Sequence, residues 1–180
     1  MRASEFIMEN TILDMNRYIP FATEIRKLLG TDKFNFPYIH FVESVTWLGM
    51  CKMDPKLSRY KTEIKISSLL GYENEIKRVL AHELCHEAEY FLYWLPTLEE
   101  YQLQHKDAPD EILLKELWTD QHSFAWHKYA DKVNSVYGTN YVTPNSDKSF
   151  KGFEDNKLER DKKILASIPR YFNAGKRRGL

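Results

Sequence analysis

Five consecutive residues, His82-Glu83-Leu84-Cys85-His86, place two imidazoles and a carboxylate at the spacing of an HExxH motif. In an α-helix, residues four positions apart lie about 40° apart around the axis, on one face. Two imidazoles on one face can bind one Zn²⁺, and the intervening carboxylate can accept a proton from a zinc-activated water. The spacing therefore favours a zinc site with His82 and His86 as metal ligands and Glu83 as the catalytic base.

The residues around the motif favour a buried helix. Apolar side chains recur at helical spacing, which is typical of a helix that faces a core, at Ile76, Val79, Leu80 and Leu84. No Gly or Pro interrupts residues 73–95, and we expect Pro96 to end the helix. Cys85 points about 100° away from its neighbour His86. That direction favours a small buried hydrophobic residue over a metal ligand.

A catalytic zinc also needs a third protein ligand and an open position for water. The candidates downstream of the motif are His105, Glu116, Asp120, His122 and His127. Glu116 and Asp120 form an ExxxD pattern that resembles the gluzincins, in which the Glu binds the metal. A continuous helix from 111 to 136 would place Glu116 and His122 about 240° apart. Only one of the two could then face the metal.

Several further segments of residues 38–137 matter for their order along the chain and their spacing. They are Trp47-Leu48-Gly49-Met50-Cys51, Ile64-Lys65-Ile66-Ser67, Leu69-Leu70, residues 79–86, His122-Ser123-Phe124-Ala125-Trp126 and Val133-Asn134. Their order and spacing resemble the SprT-like metalloprotease domain, the family that includes Spartan. The resemblance implies that His122 is the third zinc ligand and that the chain is a zinc endopeptidase. It also implies substrates that are bound or crosslinked to DNA.

The chain departs from the SprT-like pattern at several places, and alternatives remain open. Ser123 stands where the family has Gly, the segment between His86 and His122 is longer, and the zinc ribbon of some members is absent.

The alternatives to a SprT-like protease are a gluzincin with Glu116 as third ligand and a non-catalytic, zinc-stabilised binding domain. In the latter, Cys85 or His105 would be the fourth ligand. A helical globule without metal is the remaining alternative. His40 and His127 are interpreted as surface or packing residues, and Tyr129 or Tyr137 as helpers in oxyanion stabilisation.

Composition places the chain among packed globular proteins. Of its 180 residues, 43% are hydrophobic and 14% aromatic, which argues against disorder. We find no apolar run of the length of a membrane span and no signal-peptide pattern. The two cysteines, Cys51 and Cys85, form no disulfide framework. We therefore expect a cytoplasmic protein without membrane contact.

Charge is distributed unevenly, although the formal net charge is zero. Residues 81–131 carry 3 basic and 11 acidic side chains, whereas residues 151–180 carry 9 and 4. The acidic middle would repel a nucleic-acid backbone. The basic C-terminal tail could make a weak, salt-sensitive contact with DNA.

The predicted elements give an α+β fold with a small antiparallel sheet packed on the HExxH helix, and the resemblance implies a zincin-like domain. We predict strands at 38–43, 45–48 and 62–67, with Ile64 and Ile66 inward, and helices at 4–29, 73–95, 111–136 and 158–168. Pro20 is expected near a break, and Gly30 and Gly138 are expected to end their helices. The predicted organisation is an N-terminal helical segment (1–35), a SprT-like metalloprotease domain (36–145) and a basic C-terminal tail with one helix (146–180).

Overall fold

The computed structural model describes residues 13–53, 61–104, 122–144 and 150–167. A short 3₁₀ helix, Met15–Tyr18, precedes the regular elements. These are α1 (Ile19–Leu29), β1 (Tyr38–Val42), β2 (Gly49–Met53), β3 (Thr62–Ser67), α2 (Glu73–Glu89), α3 (Leu95–Gln104), α4 (Phe124–Tyr137) and α5 (Lys151–Ser167). The α+β class is therefore confirmed.

The sheet is mixed, so the predicted antiparallel sheet is wrong. Its strand order is β1-β3-β2. β3 runs antiparallel to β2 and parallel to β1. β3 lies in the middle, and both Ile64 and Ile66 are fully buried as predicted. Strand direction depends on how the chain returns to the sheet, and the alternation of side chains along one strand does not report it.

The predicted strand at 45–48 is wrong, because the second strand of the structure, Gly49–Met53, begins only after it. The hydroxyl of Ser44 accepts hydrogen bonds from the backbone N–H groups of Thr46 (3.3 Å) and Trp47 (3.2 Å). Such a turn engages the backbone donors that a strand would use. The aromatic and β-branched residues before Gly49 therefore form a bend.

Helix α1 begins and ends where its sequence signals predict. Pro20 lies in its first turn, where the missing N–H is not needed. Gly30 follows the last turn in the left-handed region, with φ of 87°. The part of the predicted first helix that precedes residue 13 lies outside the described residues.

The motif helix does not end at Pro96, contrary to the prediction. After α2, residues Tyr90–Trp94 form a π-helical turn, and α3 continues from Leu95. In this wider turn the N–H of Leu95 donates to the carbonyl of Tyr90. Pro96 thus lies in the first turn of a new helix, where proline is tolerated.

The two C-terminal helices also differ from their predicted bounds. Helix α4 begins at Phe124 and not at residue 111; residues 105–121 lie outside the described part of the chain. It ends at Tyr137, before Gly138 (φ 108°), as predicted. Helix α5 begins at Lys151, well before the predicted start at Leu158.

One hydrophobic core joins α1, the sheet, α2, α4 and the start of α5. Its members include Tyr18, Ile25, Ile64, Leu80, Leu84, Trp126, Val133 and Phe153. Burying each large apolar side chain contributes roughly 1.5–3 kcal/mol. This core holds one long side of α2. None of the helices in the described part of the chain has an apolar stretch that could span a bilayer.

A buried ion pair holds α1 against α2. Arg26 Nε lies 3.1 Å from Glu87 Oε2, and both side chains are almost fully buried. The Arg26 guanidinium also donates to the carbonyls of Thr31, Phe34 and Asn35. Burial raises the pKa of Glu87 to about 7, and Arg26 opposes that rise. The donors and acceptors of this pair are thus well satisfied.

Candidate metal centre

His82 and His86 lie one turn apart on the same face of α2, as the motif predicts. Acidic residues in the first turn of α2, Glu73 and Glu75, complement the helix dipole. His82 is buried, with 8% of its surface exposed, and His86 is partly buried. Their ring centroids are 5.1 Å apart. Both imidazoles therefore reach one small volume beside the helix.

His122 brings a third imidazole to the same place. Its Nε2 lies 3.2 Å from Nε2 of His82, and its ring centroid is 5.2 Å from that of His86. One ligand atom from each histidine lies within 4.8 Å of the others. Two ligands of a tetrahedral zinc, each with a bond of about 2.0–2.1 Å, would be roughly 3.3 Å apart. The spacing of His82 and His122 fits such an ion.

The position of His122 in the chain differs from the prediction. It precedes α4, whose N-cap is Ser123; the Ser123 hydroxyl accepts a hydrogen bond from the N–H of Ala125 (3.1 Å). The angle predicted between Glu116 and His122 assumed one continuous helix. His122 instead reaches the centre from the segment that leads into α4.

Hydrogen bonds inside the fold engage the Nδ1 atoms of His82 and His86, so that each ring can direct its Nε2 toward the shared space. Nδ1 of His82 lies 3.2 Å from the carbonyl of Thr143, which can only accept, so this nitrogen carries the proton. Nδ1 of His86 lies 3.4 Å from a carboxylate oxygen of Glu89. Such partners are typical of histidines that bind metals, because they fix the tautomer and the ring orientation.

The electrostatic surroundings keep His82 neutral. Burial, and to a smaller extent the neighbouring His86 and His122, lower the pKa of His82 to about 3, whereas the hydrogen bond to the Thr143 carbonyl acts in the opposite direction. A histidine must be neutral to bind a metal. No proton therefore has to leave His82 at neutral pH before an ion binds.

Trp126 forms an apolar wall behind the three imidazoles. It is fully buried. Its ring centroid lies 4.5 Å from that of His122, 4.9 Å from that of His82 and 5.7 Å from that of His86. The indole therefore excludes water from one side of the centre and restricts the three rings.

Glu83 lies between α2 and the edge strand β2. It is 5% exposed. A Cβ added at Gly49 of β2 would lie 2.5 Å from Glu83 Oε1. Gly49 therefore lets the strand approach the carboxylate that follows His82 along the helix.

The other candidate residues lie outside the histidine group or outside the described residues. His105, Glu116 and Asp120 lie outside the described residues. Cys85 is fully buried and is not part of the histidine group. His40 lies 3.6 Å from Glu63, and His127 contacts Trp126 edge-on. The Tyr137 hydroxyl donates to Glu24 of α1 (2.7 Å), and burial raises the pKa of Tyr129.

Sequence reasoning missed the hydrogen-bond partners of His82 and His86, which are Thr143 and Glu89, and the Ser123 hydroxyl that donates to Glu89. Glu89 could have been found, because it follows His86 by three residues and so shares its helix face. Thr143 gives no such signal, since any residue offers a backbone carbonyl.

Comparison of the chain with known protein families, with curated proteins and with solved structures finds no match.

Proposed function

We propose that this protein is a zinc-dependent endopeptidase of the SprT-like class. The observation that carries the proposal is the convergence of His82, His86 and His122, within 4.8 Å of one another, at an HExxH motif. Three neutral imidazoles suit Zn²⁺. In the described part of the chain no fourth His, Cys, Asp or Glu joins them. A centre with three protein ligands and an open position is typical of catalytic zinc.

The roles of the residues follow from their chemistry. His82, His86 and His122 hold the ion, which when bound supplies Lewis acidity toward a carbonyl and lowers the pKa of water to near 7. Glu83 is the general base: its carboxylate accepts the proton of the attacking water and passes it to the leaving amine. No covalent link to a side chain forms in this reaction.

The edge of the sheet beside Glu83 offers a place for the peptide. β2 pairs with β3 along one edge, and within the described ranges no strand pairs with its other edge. An unpaired strand edge can bind an extended peptide through main-chain hydrogen bonds. Such a peptide would lie next to Glu83, since Gly49 of β2 contacts that carboxylate. An antiparallel edge strand beside the motif helix also supports a zincin-like architecture.

The two alternative functions require different metal ligands. A gluzincin would use Glu116 in place of His122, and a non-catalytic domain would close the metal with a fourth ligand such as Cys85 or His105. The proximity of His122 to His82 favours the SprT-like assignment over the first rival. Cys85 lies outside the histidine group, which disfavours it as the closing ligand in the second.

The zinc content of the purified protein tests the ligand set. We expect close to one zinc per chain in the parent and in Glu116→Ala, and a loss of zinc in His122→Ala. His127→Ala is a matched control, because His127 contacts Trp126 but does not belong to the histidine group. Loss of zinc in Glu116→Ala but not in His122→Ala would support a gluzincin. A parent protein that takes up no zinc would contradict the proposed function.

The Glu83→Gln variant tests the reaction. We expect it to retain zinc and to lose cleavage of an unstructured protein substrate by about 10²–10⁴-fold, because the general base is gone. Full activity in Glu83→Gln would contradict the mechanism. A parent that binds zinc but cleaves no protein would favour the non-catalytic domain.

We further propose that the substrates are proteins associated with DNA. The resemblance to the SprT-like family and the excess of basic residues in 151–180 support this step. Cleavage of a DNA-binding protein should then increase when DNA is added and should fall as salt is raised. Equal rates with and without DNA would limit the proposal to a general endopeptidase.

A further inference from the structure

Glu89 is a completely buried carboxylate on the motif helix, and its contacts lead to the metal centre. It is 0% exposed. One oxygen, Oε2, lies 3.4 Å from Nδ1 of His86, and the other, Oε1, accepts a hydrogen bond of 2.5 Å from the Ser123 hydroxyl. Burying a carboxylate is unfavourable unless it is paired and hydrogen-bonded. The partners of Glu89 here are the His86 ring and the Ser123 hydroxyl.

Ser123 connects this carboxylate to the third ligand. It directly follows His122 and caps α4, because its hydroxyl oxygen accepts from the N–H of Ala125 while the hydroxyl proton goes to Glu89. The start of α4 is thereby tied to α2 at Glu89. A shift of Ser123 would move its neighbour His122, whose Nε2 lies 3.2 Å from that of His82.

We propose that Glu89 and Ser123 are positioning residues, which form a hydrogen-bonded chain Ser123–Glu89–His86 that sets the orientation of His86 and the approach of His122 for the metal ion. The inference rests on the proposed metal site but not on proteolysis. It assigns a role to the serine that stands where the SprT-like pattern has Gly.

The hydrogen-bonded series Ser123–Glu89–His86 also affects the charge around the metal ion. Three neutral imidazoles leave the full charge of a divalent ion uncompensated, and a carboxylate one imidazole away offsets part of it. Hydrogen bonding to a carboxylate also makes His86 a stronger donor to the metal. Ion binding in turn compensates the buried charge of Glu89. The carboxylate and the ion therefore stabilise each other, and removing Glu89 should weaken metal binding.

The test measures Zn²⁺ affinity by competition with a chelator in the full chain, together with the visible spectrum of the Co²⁺-loaded protein. We expect Glu89→Gln to weaken Zn²⁺ binding about 10–100-fold and to change the Co²⁺ spectrum. The matched control is Glu87→Gln on the same helix, where an equally buried carboxylate contacts Arg26 and no ligand. That variant should lose thermal stability and keep the parent's Zn²⁺ affinity and Co²⁺ spectrum.

A pair of substitutions at Ser123 separates its two roles. Gly is an acceptable N-cap but has no hydroxyl, whereas Thr retains both the cap and the hydroxyl. We expect Ser123→Gly to weaken Zn²⁺ binding, whereas Ser123→Thr should keep the Zn²⁺ affinity of the parent. Parent-like affinity and spectra in both Glu89→Gln and Ser123→Gly would overturn the inference while leaving the metal site intact. A parent that binds neither Zn²⁺ nor Co²⁺ would overturn the proposed function itself.

Discussion

Gly49 is the residue through which the sheet fixes the Glu83 carboxylate. A Cβ at this position would lie 2.5 Å from Glu83 Oε1 and 2.6 Å from a methyl of Val79. Real Cβ atoms do not approach other atoms this closely. The methyl of Val79 cannot swing aside readily, because a β-branched side chain in a helix has one preferred rotamer. An added methyl group would therefore have to displace Glu83 or the strand.

We predict that Gly49→Ala lowers peptide hydrolysis roughly 10–100-fold while Zn²⁺ affinity stays unchanged. A displacement of Glu83, the proposed general base, by about 1 Å is sufficient for such a loss. The measurement is kcat/KM beside zinc content for Gly49→Ala and for Lys52→Ala, an exposed residue of the same strand. Normal activity in Gly49→Ala would show that Glu83 does not act from its position against β2.

Among single residues, the sequence indicated which histidines lie together, but it did not indicate the groups that hydrogen-bond to them. The spacing of His82, Glu83 and His86 is local, so one helical turn determines it. His122 was one of several downstream candidates, and only the family resemblance favoured it, because its approach depends on a segment that folds back onto α2. The contact from Thr143 to His82 is equally non-local and involves a backbone carbonyl, which no residue type reveals.

Helix α5 illustrates how an element is held by backbone contacts. The two oxygens of Glu75 accept hydrogen bonds from the N–H groups of Gly71 (3.2 Å) and Gly152 (2.9 Å). Asn156 of α5 donates to the carbonyl of Leu69 (2.9 Å). A Cβ at Gly152 would lie 2.6 Å from Glu75 Oε2 and 2.9 Å from Gly71 Cα. Because Gly152 has no side chain, α5 can lie directly on the turn before α2.

We predict that Gly152→Ala destabilises the protein by about 1–3 kcal/mol, the range of an overpacked site. Helix propensity alone predicts the opposite sign, since Ala is more favourable than Gly in a helix by roughly 1 kcal/mol. Thermal unfolding and limited proteolysis after residue 150 measure the effect, with Lys151→Ala, an exposed neighbour, as the control. A stabilised Gly152→Ala would mean that α5 is not packed on Gly71.

Elements with strong local signals were predicted closely, and the errors have non-local causes. β3 matches its predicted bounds because Ile64 and Ile66 alternate with polar residues, and Gly30 and Gly138 end their helices. The start of α5 was missed because Gly152, a poor helix former, is there for packing and not for propensity. The parallel pairing of β1 and β3 depends on the path between them, which no single strand encodes.

In the whole molecule, α2 is fixed on two sides, and the proposed metal centre lies on one of them. The Arg26–Glu87 pair and the sheet hold one side within the core. On the other side, Trp126 and Val133 of α4 pack into the same core while His122 reaches toward His82. A metal bound there would link α2 to the segment that precedes α4 through coordinate bonds to His82, His86 and His122. Its binding free energy would add to that of folding, because the three ligands converge only in the folded chain.

We therefore predict that Zn²⁺ raises the thermal stability of the whole protein. At a free concentration about 100 times the Kd, an ion that binds only the folded state adds about 2.7 kcal/mol, or roughly 5–10 °C in Tm for a chain of this size. Thermal unfolding of chelator-treated protein, with and without added Zn²⁺, measures the shift. Mg²⁺, which prefers oxygen ligands, should produce none. His122→Ala should lose most of the shift. An equal shift in that variant would place the bound ion elsewhere and separate α4 from the metal centre.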